Sequence, residues 1–178
     1  MIIDIGGGTA DIAVISLGGI VVAKNLRVAG DRLNHDIIRY ARDEFKLLLG
    51  ERTAEDLKIA IGSVLPQDQP LEATMRGRDL VTGLPREVLV GDADIRAAIK
   101  PSINLFVKSV KEIIEKTPPE LISDIMHRGI VMVGGGSLWR GLDHLLGRET
   151  KIAVRVADDP LTAVVRGAGA ILEDIEKL

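Results

Sequence analysis

MIIDIGGGTADIAVISLGGIVVAKNL, residues 1–26, is the stretch on which the fold turns. Met1, Ile2 and Ile3 already read as a buried strand, and the aliphatic run over residues 2–5 stops at Gly6-Gly7-Gly8. A second run, Ile12 to Leu17, follows; Gly18-Gly19 signals a turn, and Ile20 to Ala23 resumes strand character. The pattern is a strand–turn–strand–turn–strand meander, with Gly18-Gly19 serving turn chemistry alone. Chain termini usually lie at the surface, so an opening inside a core strand leads to the expectation that further residues precede Met1.

The rest of the chain supplies a small lobe and a return to the same logic. Leu33, Ile37, Ala41, Phe45 and Leu48 recur at helical spacing and predict a helix over 33–49. Thr53 is placed to cap a second helix running to Ser63, with Glu55 and Asp56 in its first turn. Residues 71–90 read as a hairpin joined by Leu80-Val81-Thr82-Gly83-Leu84. Asp92 to Lys116 is a long helix that Pro101 should kink or split. Thr117-Pro118-Pro119-Glu120 opens another, ended by Gly129. Ile130 to Val133 is a strand entering Gly134-Gly135-Gly136; a short helix over 140–147, a strand over 152–156 and a closing helix over 160–176 follow. Strand–glycine–helix order after residue 129 predicts a major lobe interrupted by a small α+β one.

Composition agrees. Hydrophobic residues make up 46% of 178 and aromatics 2%, so the core is aliphatic, as suits the buried strands of a parallel α/β sheet. Basic residues number 23 and acidic 26, a net charge of −3, which argues against nucleic acid as a partner. Cysteine is absent, which removes disulfides and thiolate metal sites. No apolar stretch approaches the roughly 20 residues of a spanning helix. The first residues carry no charged segment ahead of their apolar run, unlike a signal peptide.

Two glycine-rich turns carry the chemistry. In Asp4-Ile5-Gly6-Gly7-Gly8-Thr9-Ala10-Asp11, successive glycines permit positive φ and let backbone N–H groups converge on an anion, with the Thr9 hydroxyl as a further donor. A carboxylate beside a polyphosphate is repulsive without a cation between them, so Asp4 implies Mg²⁺ reached through water. The dinucleotide fingerprint fails because Asp11 occupies its third-glycine position, and no P-loop is present. The bland alternative is a tight hairpin whose glycines answer sterics only. The second turn, Val133-Gly134-Gly135-Gly136-Ser137-Leu138-Trp139-Arg140-Gly141, would let a flat ring or ribose approach the backbone, or is structural only. His35, His127 and His144 fall on different predicted helices, where surface or cap positions are expected and no metal site.

These residues match a family. DIGGGTAD resembles the second phosphate-binding loop shared by actin, the heat-shock chaperone ATPases and the bacterial actin homologues, and GGGSLWRG resembles their adenosine loop. VISLGGIVVAKNLRVAGD, GERTAEDLKIAIGS, RGRDLVTGLP, TPPELISDIMHRGIVMVGGG and ADDPLTAVVRGAGAIL narrow the likeness to the carboxy-terminal half of the MreB cell-shape family, along nearly the whole chain. The resemblance implies an α/β actin-like ATPase fold of the ribonuclease H-like type. Residues 1–25 and 91–158 would be the base of its second lobe and 26–90 an inserted small upper subdomain. Residues 160–178 would be a closing helix against a first lobe that lies outside this sequence. That lobe would carry the other phosphate loop, the acid that positions attacking water and the membrane-contacting elements.

Carried over by position, Asp4 resembles the Mg²⁺-water partner, and Gly6, Gly7, Gly8 and Thr9 the β/γ-phosphate cradle. Thr9 and Asp11 resemble catalytic positions, although Asp11 stands where the family more often has Glu. Gly30 and Asp31 resemble the loop near the ribose, with Ala29 replacing the more usual glycine. Glu55 and Lys58 resemble residues flanking adenine; three residues apart, they could instead be a solvated ion pair. Gly134, Gly135 and Gly136 resemble the opposite wall, and Trp139, where an aliphatic residue is expected, could fill core space. The implied cofactors are ATP and Mg²⁺. The implied partners are further copies in a filament and membrane-bound cell-wall morphogenesis proteins, at the cytoplasmic face of the inner membrane. The function implied is maintenance of rod shape, with slow ATP hydrolysis timing filament life. A sugar kinase or chaperone ATPase of the same superfold is a second possibility, and a module that binds a partner without turnover a third.

Overall fold

The computed structural model describes residues 1–173; residues 174–178, the end of the expected closing helix, lie outside the described residues. The meander is present as β1 (Ile2–Ile5), β2 (Ala10–Ser16) and β3 (Gly19–Leu26). Its second turn, between β2 and β3, holds Leu17 and Gly18 at φ of 50° and 79°, so the bend sits one residue earlier than the Gly18-Gly19 pair suggested, and Gly19 already pairs with Ser16. Right-twisted hairpins favour positive φ at both central residues, and the exposed Leu17 adopts it.

Further along, β7 (Ile130–Val133) and β8 (Val154–Val156) complete a five-stranded sheet in the order β3-β2-β1-β7-β8. The pair β1–β2 is antiparallel, while β1–β7 and β7–β8 are parallel. Alternation sorts the strands. Ile3, Ile5, Ile12, Ile130 and Met132 are buried on one face, while Asp4 and Asp11, paired across β1–β2, share the other.

The buried face is covered chiefly by α3 (Asp92–Lys116), whose Ile95, Ile99, Ile103, Phe106, Val110 and Ile113 form the predicted apolar stripe. This helix is neither split nor interrupted at Pro101. Proline frees the carbonyl four residues back, that of Ala97, and both residues lie on the exposed side, where water can satisfy it.

A second, antiparallel sheet in the order β4-β5-β6 lies between β3 and α3 in sequence, built from β4 (Leu47–Leu48), β5 (Glu72–Asp79) and β6 (Pro85–Gly91). The helices α1 (Gly30–Phe45) and α2 (Glu51–Ile61) accompany it. The helix expected over 33–49 therefore starts three residues earlier and stops at Phe45: Lys46 turns left-handed at φ 54°, and Leu47 and Leu48 pair with Asp79 and Arg78. Strand pairing and burial of Leu47 override helical periodicity. The second helix is capped by Gly50 rather than Thr53, which lies inside the first turn. The remaining helices are α4 (Pro119–Arg128), closed by Gly129 at φ 78°, α5 (Leu142–Thr150), and α6 (Ala163–Glu173). None of the residues of α6 is buried, and Val164, Val165, Ile171 and Leu172 are exposed.

Candidate functional site

The loop between β1 and β2 is closed by the Gly6 amide donating to the Thr9 carbonyl at 2.9 Å. Its outward carbonyls then do something the sequence does not announce. Gly6 and Gly7 accept from the amides of Gly30 (3.3 Å) and Asp31 (2.8 Å), the first two residues of α1. Two of the helix's orphan donors are thereby satisfied by the glycine loop, and Ala29, which has no capping side chain, needs none. The loop and the helix start are one unit.

None of Gly6, Gly7 or Gly8 has positive φ, contrary to the reason given for them from sequence. A Cβ at Gly6 would meet nothing nearer than 3.5 Å, and at Gly7 nothing nearer than 3.6 Å. The fold itself does not require these glycines to be bare, yet both line a cavity of about 670 Å³. Their missing side chains leave room inside it. Gly8 and Thr9 are exposed at the tip, outside the cavity lining, with Asp31 packed beside Gly7 and Gly8.

The second glycine turn differs in kind. Gly134, at φ 79°, rests on the Ile5 carbonyl and the Asp4 carboxylate; Gly136 rests on the Ile5 side chain. Any Cβ at either position would overlap those atoms, so both glycines serve the packing of this turn on β1. Gly135 and Gly136 line the cavity, and Gly134 does not. Residues Gly135–Leu138 form one turn of 3-10 helix, with the Ser137 hydroxyl donating to the Gly134 carbonyl at 2.6 Å.

Helix α2 forms the third wall. Lys58 is almost wholly buried; its Nζ donates to the Gly30 carbonyl at 3.3 Å and lies 3.5 Å from Glu55 Oε1. Glu55 in turn accepts from Asn34 Nδ2 at 3.4 Å. The pair is solvated on one side only: Glu55 is about half exposed, whereas the Lys58 ammonium is held against Gly30 in the cavity wall. Sequence reasoning assigned no role to Arg140. Its Nη1 donates to the carbonyls of Ala60 (2.9 Å) and Gly62 (3.3 Å), capping the end of α2 from the second glycine turn. Ile59, Gly62, Leu138 and Leu161 also line the cavity, none of them expected in the site from sequence, and Trp139 lines it while half-buried against the core. Isolated apolar residues on a helix or turn carry no signal of a site until the fold brings them together.

Asp4 lies beside the cavity, behind Gly134, and faces Asp11 across the β1–β2 pair. Burial, and then the Asp11 charge, push the Asp4 carboxyl above its ordinary value. Asp11 is exposed and accepts from Asn25 Nδ2 at 2.7 Å. Among the described residues no group of three or more acidic, histidine or cysteine side chains could hold a metal unaided.

The cavity therefore unites Gly6, Gly7, Gly30, Glu55, Lys58, Gly135 and Gly136 of the sequence-derived set, and leaves Asp4, Gly8, Thr9, Asp11, Asp31 and Gly134 outside its lining. Bare backbone lies on the side of the first turn; Ile59, Leu138, Trp139 and Leu161 supply apolar surface; Lys58 supplies a cation. Such a lining suits a ligand with a flat, weakly polar part and an anionic part.

Comparison with known proteins bears on the whole chain. The family model described as MreB/Mbl protein matches residues 1–178. The chain is 46% identical over 178 residues to the cell shape-determining protein Mbl of Bacillus subtilis (strain 168), covering 100% of this chain and 54% of the relative. It is 47% identical over 176 residues to the cell shape-determining protein MreB of Escherichia coli (strain K12), covering 99% and 51%. The chain spans about half the length of these curated relatives. Among solved structures it superposes on MreB5 of Spiroplasma citri bound to AMPPNP with a TM-score of 0.95 at 39% identity, over 99% of this chain and 53% of that one. A MamK double helical filament, 24% identical with a TM-score of 0.79, shares the fold.

Proposed function

The chain belongs to the MreB/Mbl protein family, and from that premise we propose that it forms one wall of an ATP site in a cell shape-determining filament protein. The observation that carries this reading is the cavity in which two glycine turns, the start of α1 and the Glu55–Lys58 face of α2 converge. In this reading Gly6 and Gly7, with Gly8 and Thr9 at the tip, receive the phosphates, and Gly30 and Asp31 flank the ribose. The base lies between α2 and the turn around Gly135 and Gly136. The relative whose solved structure holds AMPPNP shares this fold at 39% identity, which supports a nucleotide as occupant.

A divalent cation fits the margin of the site. Asp4 is buried enough, and close enough to Asp11, that its charged form is disfavoured, and a nearby cation would relieve that penalty. No protein cage is present among the described residues, which suits Mg²⁺, an ion that keeps most of its water and shares phosphate oxygens. When bound it would supply charge neutralisation at the phosphates, with Asp4 holding its hydration shell. This chain's residues bind and orient the nucleotide. Phosphoryl transfer needs donors on both sides of the γ-phosphate, so turnover is assigned to the two-lobed protein and not to these residues alone.

Residues 1–25 and 91–158 then form the base of a lobe, residues 26–90 its upper subdomain, and the exposed face of α6 the contact with a first lobe. Self-association into filaments is the corresponding assembly. The exposed hairpin tips at Leu17 and Ile20, and at Val81 and Leu84, offer apolar surface for it. Attachment to morphogenesis proteins at the inner face of the membrane is part of the same proposal; among the described residues no helix is long and apolar enough to cross a membrane. Titration calorimetry of the purified chain with ATP, with and without Mg²⁺, tests the site. Weak, Mg²⁺-dependent binding that falls about tenfold in Lys58→Met is expected, a loss of roughly 1.4 kcal/mol. Binding unaffected by Lys58→Met, or full turnover by this chain alone, would refute the assignment.

A further inference from the structure

On the side of α3 that faces α5, Arg96, Lys100, Asn104, Lys108 and Lys111 follow one another at spacings of four, four, four and three, and so form one ridge along the helix. Two hollows of about 380 and 390 Å³ lie along this ridge. They share Asn104, Leu145 and Arg148 and so form one continuous groove, none of whose lining residues belongs to the nucleotide cavity. Its floor is apolar, made by the buried Ile103, Val107 and Leu145.

The rim is strongly one-signed. Five cations line the groove against a single acid, Glu149, in a chain whose net charge is −3. Arg96 is engaged by Asp92 at 2.7 Å, and Lys111 by Glu149 at 2.7 Å. Among the described residues no carboxylate lies within ion-pair distance of Lys100 or Lys108, both exposed, and Arg148 is 3.6 Å from the already paired Glu149. A cationic ridge beside an apolar floor is self-repulsive on its own and complementary to its inverse.

We propose that the α3–α5 groove is a docking site for an acidic amphipathic helix of a partner protein, its apolar stripe on Val107 and Leu145 and its carboxylates on Lys100, Lys108 and Arg148. Arg96 to Lys111 spans ~22 Å at the helical rise, about four turns of a partner. The shape selects against the other anions. A bilayer surface is too flat to reach a floor recessed between two helices. A nucleic-acid backbone would make no use of an aliphatic floor that offers no aromatic platform. Free phosphate would engage the cations and leave the floor wet. Helix-in-groove recognition uses both features at once.

The test uses fluorescence anisotropy with two synthetic peptides of about 15 residues, matched to the ~22 Å ridge. One has glutamates flanking a leucine stripe, and the other has lysines in place of the glutamates. The glutamate peptide is expected to bind, to weaken as salt rises, and to lose at least tenfold in affinity in a Lys100→Glu/Lys108→Glu variant. Both lysines are exposed, so the variant should keep its circular dichroism spectrum. The lysine peptide is expected not to bind, and hydrogen exchange should slow in α3 and α5 when the glutamate peptide is present. Absence of glutamate-peptide binding overturns the proposal, as does equal affinity of the two peptides or unchanged affinity in the double variant. Displacement of the glutamate peptide by phosphatidylglycerol vesicles overturns it in favour of a membrane.

Discussion

Gly136 sits against Ile5 so closely that a Cβ on the glycine would overlap the isoleucine Cγ2. Gly6, in the loop that follows Ile5, has no such neighbour: its nearest would be the Thr9 carbonyl at 3.5 Å. The two glycine turns, alike in sequence, are thus constrained for opposite reasons.

A contrast in mutants follows. Gly136→Ala forces β1 and the second turn apart and is expected to cost about 1–3 kcal/mol of stability, as overpacking of a filled core does. Gly6→Ala and Gly7→Ala are expected to leave the denaturation midpoint nearly unchanged and to weaken nucleotide binding by filling the cavity. Chemical denaturation with parallel binding titrations reads both quantities. A stable Gly136→Ala with a lost denaturation midpoint in Gly7→Ala would reverse the assignment.

That contrast marks where sequence is legible. Strand runs, the hairpin at 71–90 and the stripe of α3 follow from local periodicity, and they are present within a few residues. Helical periodicity extends over Leu47 and Leu48, yet both lie in β4, because their pairing with β5 depends on residues some 30 positions away. In the site, motif residues such as Gly6 and Gly135 could be named from their order alone. Arg140 could not, because capping α2 from the far side of the cavity is a tertiary fact. Nor could the reason for Gly134 and Gly136, whose bareness answers to Ile5 and Asp4.

Asp4 gives a pH-dependent prediction whose sign can be worked out. Burial first, and Asp11 second, raise its pKa above the ordinary 3.8. Such a carboxyl binds its proton more tightly folded than unfolded, so the fold loses stability as pH rises from the unfolded value through the folded one. Asp4→Asn should therefore raise the melting temperature at pH 7 without nucleotide, and the gain should shrink toward pH 3, where the wild-type carboxyl is protonated. The same variant should lose the Mg²⁺ dependence of ATP binding. A constant difference across pH would show that the substitution acts by packing instead.

Trp139 is the single tryptophan of the chain and lines the cavity while half-buried. Its emission therefore reports on that cavity alone. Titration with ATP is expected to change its intensity or shift its maximum, with a midpoint equal to the calorimetric one. Trp139→Leu should keep the fold and weaken binding less than tenfold, because an aliphatic side chain still covers the apolar side. Calorimetric binding with no change in emission would place the ligand away from the second glycine turn.

The helix α6 presents Val164, Val165, Ile171 and Leu172 at 53–68% exposure, with Leu161 just before it at 67%. Fully burying one such side chain is worth roughly 1.5–3 kcal/mol, so an open face of this kind favours any contact that covers it. Purified chain is expected to self-associate as concentration rises, by sedimentation velocity. A Val165→Ser/Leu172→Ser variant should stay monomeric longer, and it should keep its melting temperature at low concentration, because neither side chain packs on the core. The contact should weaken on cooling, as apolar association does. Wild-type chain that remains monomeric throughout, or a variant whose low-concentration melting point falls, would show that α6 is covered within its own chain in solution.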